Sequence, residues 1–368
     1  MGGSIKTVRV HFTNRDAAAF VADLRSAVTT WFAEAGRSDK ANAAMVAKTV
    51  LFLGTIGVAY GMALSNLLPG WGLLGVAILM GVTMAGIGFS VSHDALHGAY
   101  SSRGWVNRML GASFDALGAN GYMWQITHNV IHHTYTNIHG VDEDLSVSPL
   151  LRLSPEAPWK PFHRYQHWYA CAAYSLSTLF WVFVKDFKYF LQRDLGPLRD
   201  RKHSPSEIAW LIGSKAIYFS YALVIPLLVI DRPWWQVIAG FVLVHLVAGV
   251  ILGVVFQLAH VVEGTEHPVP AISGEMEHAW TIHEMLTTSN FANGNPFISW
   301  YVGGLNYQIE HHLFPRVCSV HYPALSGVVR TVAQRHGVPY NEHRTLIGAV
   351  SSHHRMLKLL GSAGPTPV

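Results

Sequence analysis

Residues 49–92 read TVLFLGTIGVAYGMALSNLLPGWGLLGVAILMGVTMAGIGFSVS and carry the main evidence for the architecture of this chain. This stretch contains 44 consecutive residues without a charge, and Asn66, Pro69 and Gly70 interrupt it near its middle. Pro and Gly mark turns, and a membrane-spanning helix needs about 20 apolar residues. The stretch therefore predicts two spanning helices joined by a tight turn.

A second helical hairpin is predicted between about residues 208 and 260. Its turn is Asp-Arg-Pro at 231–233, and the Trp-Trp pair that follows suits the membrane interface, where tryptophan is enriched. The predicted spans are about 49–67, 72–92, 208–230 and 234–258.

The composition of the chain is that of a membrane protein. Of its 368 residues, 50% are hydrophobic and 13% are charged, whereas a soluble chain carries about 25% charged residues. The net charge of +4 comes without a basic stripe interleaved with aromatics, so no nucleic acid is expected as a partner. Cys171 and Cys318 lie far apart in the sequence and do not make a disulfide framework.

A fifth apolar stretch, about residues 167–184, is rich in aromatic side chains. If it crossed the bilayer, histidines near residue 130 and near residue 311 would face opposite sides, so we predict an interfacial or re-entrant helix. Residues 185–202 contain six basic residues, whereas the two hairpin turns carry one between them. The positive-inside rule therefore places both termini and the large loops in the cytosol.

The remaining segments divide the chain simply. Residues 1–47 are predicted to be a cytosolic N-terminal segment without a signal peptide, with an amphipathic helix at about 17–35. Residues 48–360 form the membrane unit, and 361–368 are expected to be a disordered tail.

The 22 histidines are concentrated in groups near predicted helix ends. Residues four apart on a helix lie on one face, about 5–6 Å apart at Cβ, and can share a metal. The groups are HDALH (His93, His97), HNVIHH (His128, His132, His133) and QIEHH (Gln308, His311, His312). Seven imidazoles exceed the four ligands of a structural zinc, so two metals are the simpler interpretation. Imidazole suits Fe, Zn, Cu and Ni alike, so these residue types do not name the element.

These groups, in this order and with hairpins before and between them, closely resemble the histidine boxes of the integral-membrane fatty acid desaturases. Gln in place of the leading histidine of the third box, within GGLNYQIEHHLFP, is similar to the front-end branch, which introduces double bonds on the carboxyl side of existing ones. The resemblance extends over about residues 12–340. It implies an all-α fold: a multi-pass membrane bundle of four spans plus the interfacial helix, capped by a cytosolic helical domain with a two-metal site.

The resemblance also implies the ligands. They would be two Fe ions bound by His93, His97, His128, His132, His133, His311 and His312, with His260 of FQLAH as an eighth histidine. Gln308 could bind iron or orient a ligand.

Other polar residues are expected to play supporting roles. Asp94 and Glu310 are expected to accept hydrogen bonds from ligand histidines, whereas the acidic run at 142–144 is expected to be a solvated loop. His245, which is costly in mid-span, and His283 are candidates for the substrate site.

The activity implied by the resemblance is the O₂-dependent introduction of a cis double bond into a fatty acyl-CoA or acyl-lipid within the membrane. The HPGG haem motif of fused cytochrome b5 does not occur; the nearest string is HPVP at 267–270. A separate electron donor, of ferredoxin or cytochrome b5 type, with its reductase is therefore expected. A bacterial inner membrane is favoured, or the endoplasmic reticulum for a eukaryotic chain.

Two alternatives remain at this level. A fatty acyl or alkyl hydroxylase could use the same scaffold, because the same oxidant can transfer oxygen instead of removing a second hydrogen. A histidine-rich metal-binding or transport protein should place its ligands near the bilayer midplane, where only His245 is expected.

Overall fold

The computed structural model describes residues 9–13, 17–145 and 149–362. A short parallel pair, Asn290–Phe291 with Glu342–His343, is the sheet within these residues. The helices, in chain order, are Ala18–Ala35, Ala43–Leu64, Gly70–Leu96, Gly104–Ala116, Gly121–Trp124, Gln125–His132, His133–Tyr135, Pro161–Tyr165, Gln166–Ser175, Ser177–Phe180, Trp181–Lys185, Asp186–Leu191, Pro205–Val229, Trp234–His260, Trp280–Thr287, Pro296–Tyr301, Gln308–Leu313, Ser319–His321, Tyr322–Arg335 and Leu346–Ser362.

Four of these helices are long and apolar enough to cross a membrane, as the sequence predicts. They are Ala43–Leu64, Gly70–Leu96, Pro205–Val229 and Trp234–His260, which we call spans one to four. Span one begins six residues earlier than predicted because the Asn42 side chain caps it by accepting a hydrogen bond from the Met45 amide. It therefore includes Lys48, whose ammonium group donates to the Trp300 carbonyl at 3.1 Å.

The fifth apolar stretch is a broken helix over residues 166–191, interrupted at Leu176. As predicted, it is not among the helices that can cross the membrane. It packs against span four, where the Thr178 hydroxyl donates to the His245 carbonyl at 2.8 Å. Close packing depends on Gly249, because a Cβ there would clash with the backbone of Ser175.

We expect Gly249→Ala to lower the free energy of unfolding by about 1–3 kcal/mol, the usual cost of overpacking. Gly240→Ala is the matched control on the same helix, because its added methyl group would meet nothing within 4 Å. Denaturant unfolding of the purified chain in detergent checks both variants. Equal stability of the two would show that the broken helix does not rest on Gly249.

The cap consists of the N-terminal helix Ala18–Ala35, predicted at 17–35, and the helices that follow span four. Phe20 and Leu24 of the N-terminal helix pack in one core with Met285, Ile309 and Val329. The last helix ends at Ser362, so the first two residues of the predicted tail are helical; residues 363–368 lie outside the described part. The chain is thus the predicted all-α membrane bundle, with its histidine groups where cap and spans meet.

Candidate metal site

Four parts of the chain supply the histidines. His93 and His97 lie at the end of span two, directly after a π-helical turn at Gly88–Ser92. His260 is the last residue of span four, and His311 and His312 lie on the short helix Gln308–Leu313. The remaining three histidines lie on and just after the π-helical segment Gln125–His132.

That π-helical segment explains how the second histidine box can direct all three of its histidines to one site. In an α-helix, residues i and i+5 are separated by about 140° around the axis. In a π-helix the hydrogen bonds run from i to i+5, and both His132 and His133 come to lie beside His128. Their ring centroids lie 5.0 and 4.8 Å from that of His128.

All eight predicted histidine ligands lie in one buried cluster, which we call the histidine cluster. None of the eight is more than 8% exposed. Three sets have potential ligand atoms within 4.8 Å of one another: His93, His97, His128 and His311; His132, His260 and His312; His133, His311 and His312. The first two sets do not overlap, so the cluster offers two separate positions for metal.

The nitrogen atoms of the cluster fit metal ions. Among the described residues, buried nitrogens without a hydrogen-bond partner include His93 Nδ1 and the Nε2 atoms of His97, His128, His132, His133, His260, His311 and His312. A buried polar atom without a partner costs free energy, and packing alone gives no reason for so many. Metal coordination would satisfy all of them.

Burial also favours, in most of these imidazoles, the neutral form that binds metal. Burial, with the neighbouring imidazoles, lowers the pKa of His97, His133, His311 and His312 well below its ordinary value. Burial lowers the pKa of His128 to about 3, although its hydrogen bond to Asp144 opposes that shift. Metal binding requires neutral imidazole, which burial favours at these five residues.

Three carboxylates fix the outer nitrogens of the cluster. Asp142, Asp144 and Glu284 accept from Nδ1 of His132 at 2.9 Å, His128 at 3.1 Å and His312 at 2.7 Å. Such partners set the tautomer and direct Nε2 toward a metal.

The prediction of a solvated loop at 142–144 is therefore wrong. Asp142 is fully buried and the Asp144 side chain is 10% exposed, because both carboxylates are bonded to histidines. Sequence reasoning also missed Glu284. The only sequence signals for these carboxylates were the DED run that begins nine residues after the second box and the isolated His-Glu pair at 283–284.

Neither of the two predicted supporting carboxylates accepts a hydrogen bond from a ligand histidine. Asp94 lies with one oxygen 3.7 Å from His93 Nδ1, and its other oxygen accepts from the Ser319 amide and hydroxyl. Glu310 accepts instead from Asn290 and Tyr340, at 2.8 and 2.9 Å. Successive helical residues point about 100° apart, so Glu310 diverges from His311. The expectation that Glu310 accepts from a ligand histidine is not met.

Gln308, the predicted additional ligand, and His283, the predicted substrate-site residue, each form a hydrogen bond with a backbone carbonyl. The Gln308 amide lies on the same short helix as His311 and His312 and donates to the Leu305 carbonyl at 2.7 Å. His283 is buried, with Nε2 2.9 Å from the Thr136 carbonyl and its ring against Phe12.

His245 lies at an apolar groove among the four spans. The groove has a volume of about 1010 Å³ and extends from Trp71 and Arg232 at one end of the bundle to Ser113 near the other. The Ser113 hydroxyl is 2.8 Å from that of Ser92, the neighbour of His93. The inner end of the groove therefore lies close to the histidine cluster.

Known proteins have amino-acid sequences similar to that of this chain. Residues 69–344, which include all eight histidines, match the family model described as fatty acid desaturase. The chain is 35% identical over 361 residues to the sn-1 linoleoyl-lipid 6-desaturase of Synechocystis sp., covering 96% of this chain and 98% of that protein. It is also 35% identical to the protein of the same name from Arthrospira platensis, covering 92% of each. An acyl-lipid (8-3)-desaturase of Physcomitrium patens is 33% identical over 86% of this chain and 66% of its own length.

Proposed function

Because this chain belongs to the fatty acid desaturase family, we propose that it introduces a cis double bond into the acyl chain of a membrane lipid. The reaction uses O₂ and two electrons at a two-iron site in the histidine cluster. The observation that carries the proposal is the convergence of eight buried imidazoles whose inner nitrogens lack protein partners. Two irons, when bound, supply the oxidant for an unactivated methylene group that no side chain can provide.

The residues divide into two sets around the two metal positions. His93, His97, His128 and His311 surround one, and His132, His260 and His312 surround the other. His133 is close to both His311 and His312, at 4.5 and 4.3 Å between ring centroids, and completes the second set. Gln308, on the same short helix as His311, remains a candidate ninth ligand or an orienting group.

The protein's own contribution is to hold and orient the ligand histidines and to exclude water from the site. Asp142, Asp144 and Glu284 keep the protons on Nδ1, so that the lone pairs on Nε2 face inward. The low exposure of the cluster excludes water from the reacting groups.

The apolar groove supports a lipid substrate. Its lining by aliphatic and aromatic side chains suits a hydrocarbon tail, and its inner end lies near Ser92 and the histidine cluster. The names of the relatives refer to linoleoyl-lipid and acyl-lipid substrates. We therefore propose an acyl-lipid rather than an acyl-CoA, desaturated on the carboxyl side of an existing double bond.

The proposal includes a cytosolic site and a separate electron carrier. The basic run at 185–202 supports a cytosolic cap by the positive-inside rule. Ferredoxin or cytochrome b5, with its reductase, would supply the electrons. Two relatives are cyanobacterial proteins, which supports a bacterial inner membrane.

The transport alternative is disfavoured by His245. Its Nε2 lies 2.5 Å from the Tyr218 hydroxyl and its Nδ1 lies 3.1 Å from the Thr178 hydroxyl. With both ring nitrogens bonded to protein, the one mid-span histidine of the four spans has no free nitrogen for a passing ion.

The test is expression with a ferredoxin and its reductase, followed by iron analysis of the purified chain and mass spectrometry of cellular fatty acids. We expect two irons per chain and a new cis alkene in membrane lipids. A hydroxy fatty acid would instead identify the hydroxylase. Bound zinc with unchanged lipids would contradict both oxidative functions.

A further inference from the structure

The broken helix carries two adjacent buried charges of opposite sign that bond in different directions. The Lys185 ammonium group lies 3.1 Å from Asp144 Oδ1, beside the histidine cluster. Asp186 Oδ2 lies 2.7 Å from the Lys215 ammonium group of span three. Burying an ammonium group is costly unless it is paired. The ion pair with Asp144 therefore keeps Lys185 in its buried position.

Lys185 is also held by its own helix. Its ammonium group lies 4.2 Å from the centre of the Trp181 ring, a cation–π contact. The Trp181 indole in turn donates to Asp186 at 2.8 Å. The side chain is 6% exposed, so the charge is fixed in place rather than directed to solvent.

Asp144 connects Lys185 to the histidine cluster. One carboxylate oxygen accepts from Lys185, and the other accepts from His128 Nδ1 at 3.1 Å. His128 Nε2 has no hydrogen-bond partner among the described residues and belongs to the set with His93, His97 and His311. A chain of ammonium, carboxylate and imidazole therefore ends at one of the two metal positions.

The other two carboxylates lack such a cation. Asp142 accepts from the Asn137 and Asp144 amides, and Glu284 accepts from the Thr136 hydroxyl. In the described part of the chain, neither is bonded to a lysine or an arginine. The carboxylates beside the two metal positions are therefore unequally paired with cations.

We propose that Lys185 is a positioning residue that, through Asp144 and His128, raises the reduction potential of the metal held by His93, His97, His128 and His311. An uncompensated carboxylate next to a ligand favours the more positive, oxidised metal, and a fixed ammonium group cancels that preference. Charges act strongly in a buried site, and outer groups tune metals through their ligands. The inference rests on the proposed two-iron function and deepens it.

The test compares matched variants of the iron-loaded chain by spectroelectrochemical titration. We expect Lys185→Met to shift the ferric–ferrous equilibrium about tenfold toward ferric iron, which is 59 mV for one electron. Lys185→Arg keeps the charge and should stay near wild type. Asp144→Asn leaves the lysine uncompensated and should raise the potential, and adding Lys185→Met to it should lower the potential again.

The outcomes separate this inference from the proposed function. If Lys185→Met binds iron at the wild-type potential but unfolds more easily, Lys185 is only structural and the inference is wrong. If Lys185→Met fails to fold, the reduction potentials of Asp144→Asn and of the double variant are compared instead. Equal potentials in those two variants would again show that the inference is wrong. Wild-type chain without iron would overturn the proposed function and this inference with it, whereas normal desaturation with a potential insensitive to Lys185 overturns the inference alone.

Discussion

His312→Ala is expected to lose iron and desaturation together while the chain still inserts into the membrane. His312 belongs to two of the three sets of converging ligand atoms, and its Nδ1 is fixed by Glu284 at 2.7 Å. Losing only an outer partner of a ligand costs about 10–100-fold in metal affinity or activity. Loss of the ligand should therefore lower activity by more than about 100-fold, and His132→Ala should behave in the same way. Iron per chain, product yield and membrane-fraction content are the measurements.

His353→Ala is the control for removing a buried histidine. Its ring nitrogens lie 2.9 Å from the Tyr174 hydroxyl and 2.7 Å from the Val261 carbonyl, outside the histidine cluster. We expect this variant to lose some stability but to retain iron. Full activity of His312→Ala or His132→Ala would remove that residue from the set of ligands.

Asp142→Asn is expected to weaken metal binding by about 10–100-fold, the usual effect of changing an outer partner. One Asp142 oxygen accepts from His132 Nδ1 and the Asn137 amide, and the other accepts from the Asp144 amide. Asparagine has one acceptor oxygen and one NH₂ group, so an N–H would face an N–H donor. Either His132 or the Asp144 amide would then lose its acceptor, which disturbs the orientation of His132 or the placement of Asp144 against His128. Competition with a chelator of known affinity measures the loss.

Glu310→Gln is the matched control, since it removes another fully buried carboxylate next to two ligands. Its partners are Asn290 and Tyr340 rather than a histidine of the cluster. Metal affinity should stay within about threefold of wild type. An equal loss in both variants would mean that buried charge near the cluster matters regardless of which group it bonds.

Uncharged length predicted the four spans, and histidine spacing predicted seven of the histidines that gather at the site, whereas His260 was implied by the resemblance to the desaturases. The uncharged run at 49–92 is long enough for two spans irrespective of the residues that flank it. The start of span one was less predictable, because Lys48 lies inside the helix and its ammonium group donates a hydrogen bond to the carbonyl of Trp300, 252 residues away. Such long-range partners leave no local pattern.

The surroundings of the site could not be predicted for the same reason. Asp142 and Asp144 look like a solvated run until the fold places them against His132 and His128. Adjacency in sequence was misleading for Glu310, which is next to His311 but bonds to Asn290. The π-helical segment at Gln125–His132 has no turn residue or charge pattern to reveal it.

The distribution of the histidines along the chain has a consequence for biosynthesis. His93 and His312 are 219 residues apart, by subtraction of their positions. At about 5–20 residues per second, the ribosome needs roughly 10–45 seconds to pass from one to the other. The first histidine group is therefore synthesised well before the last, and the cluster that would bind metal cannot form until His312 has been added to the chain.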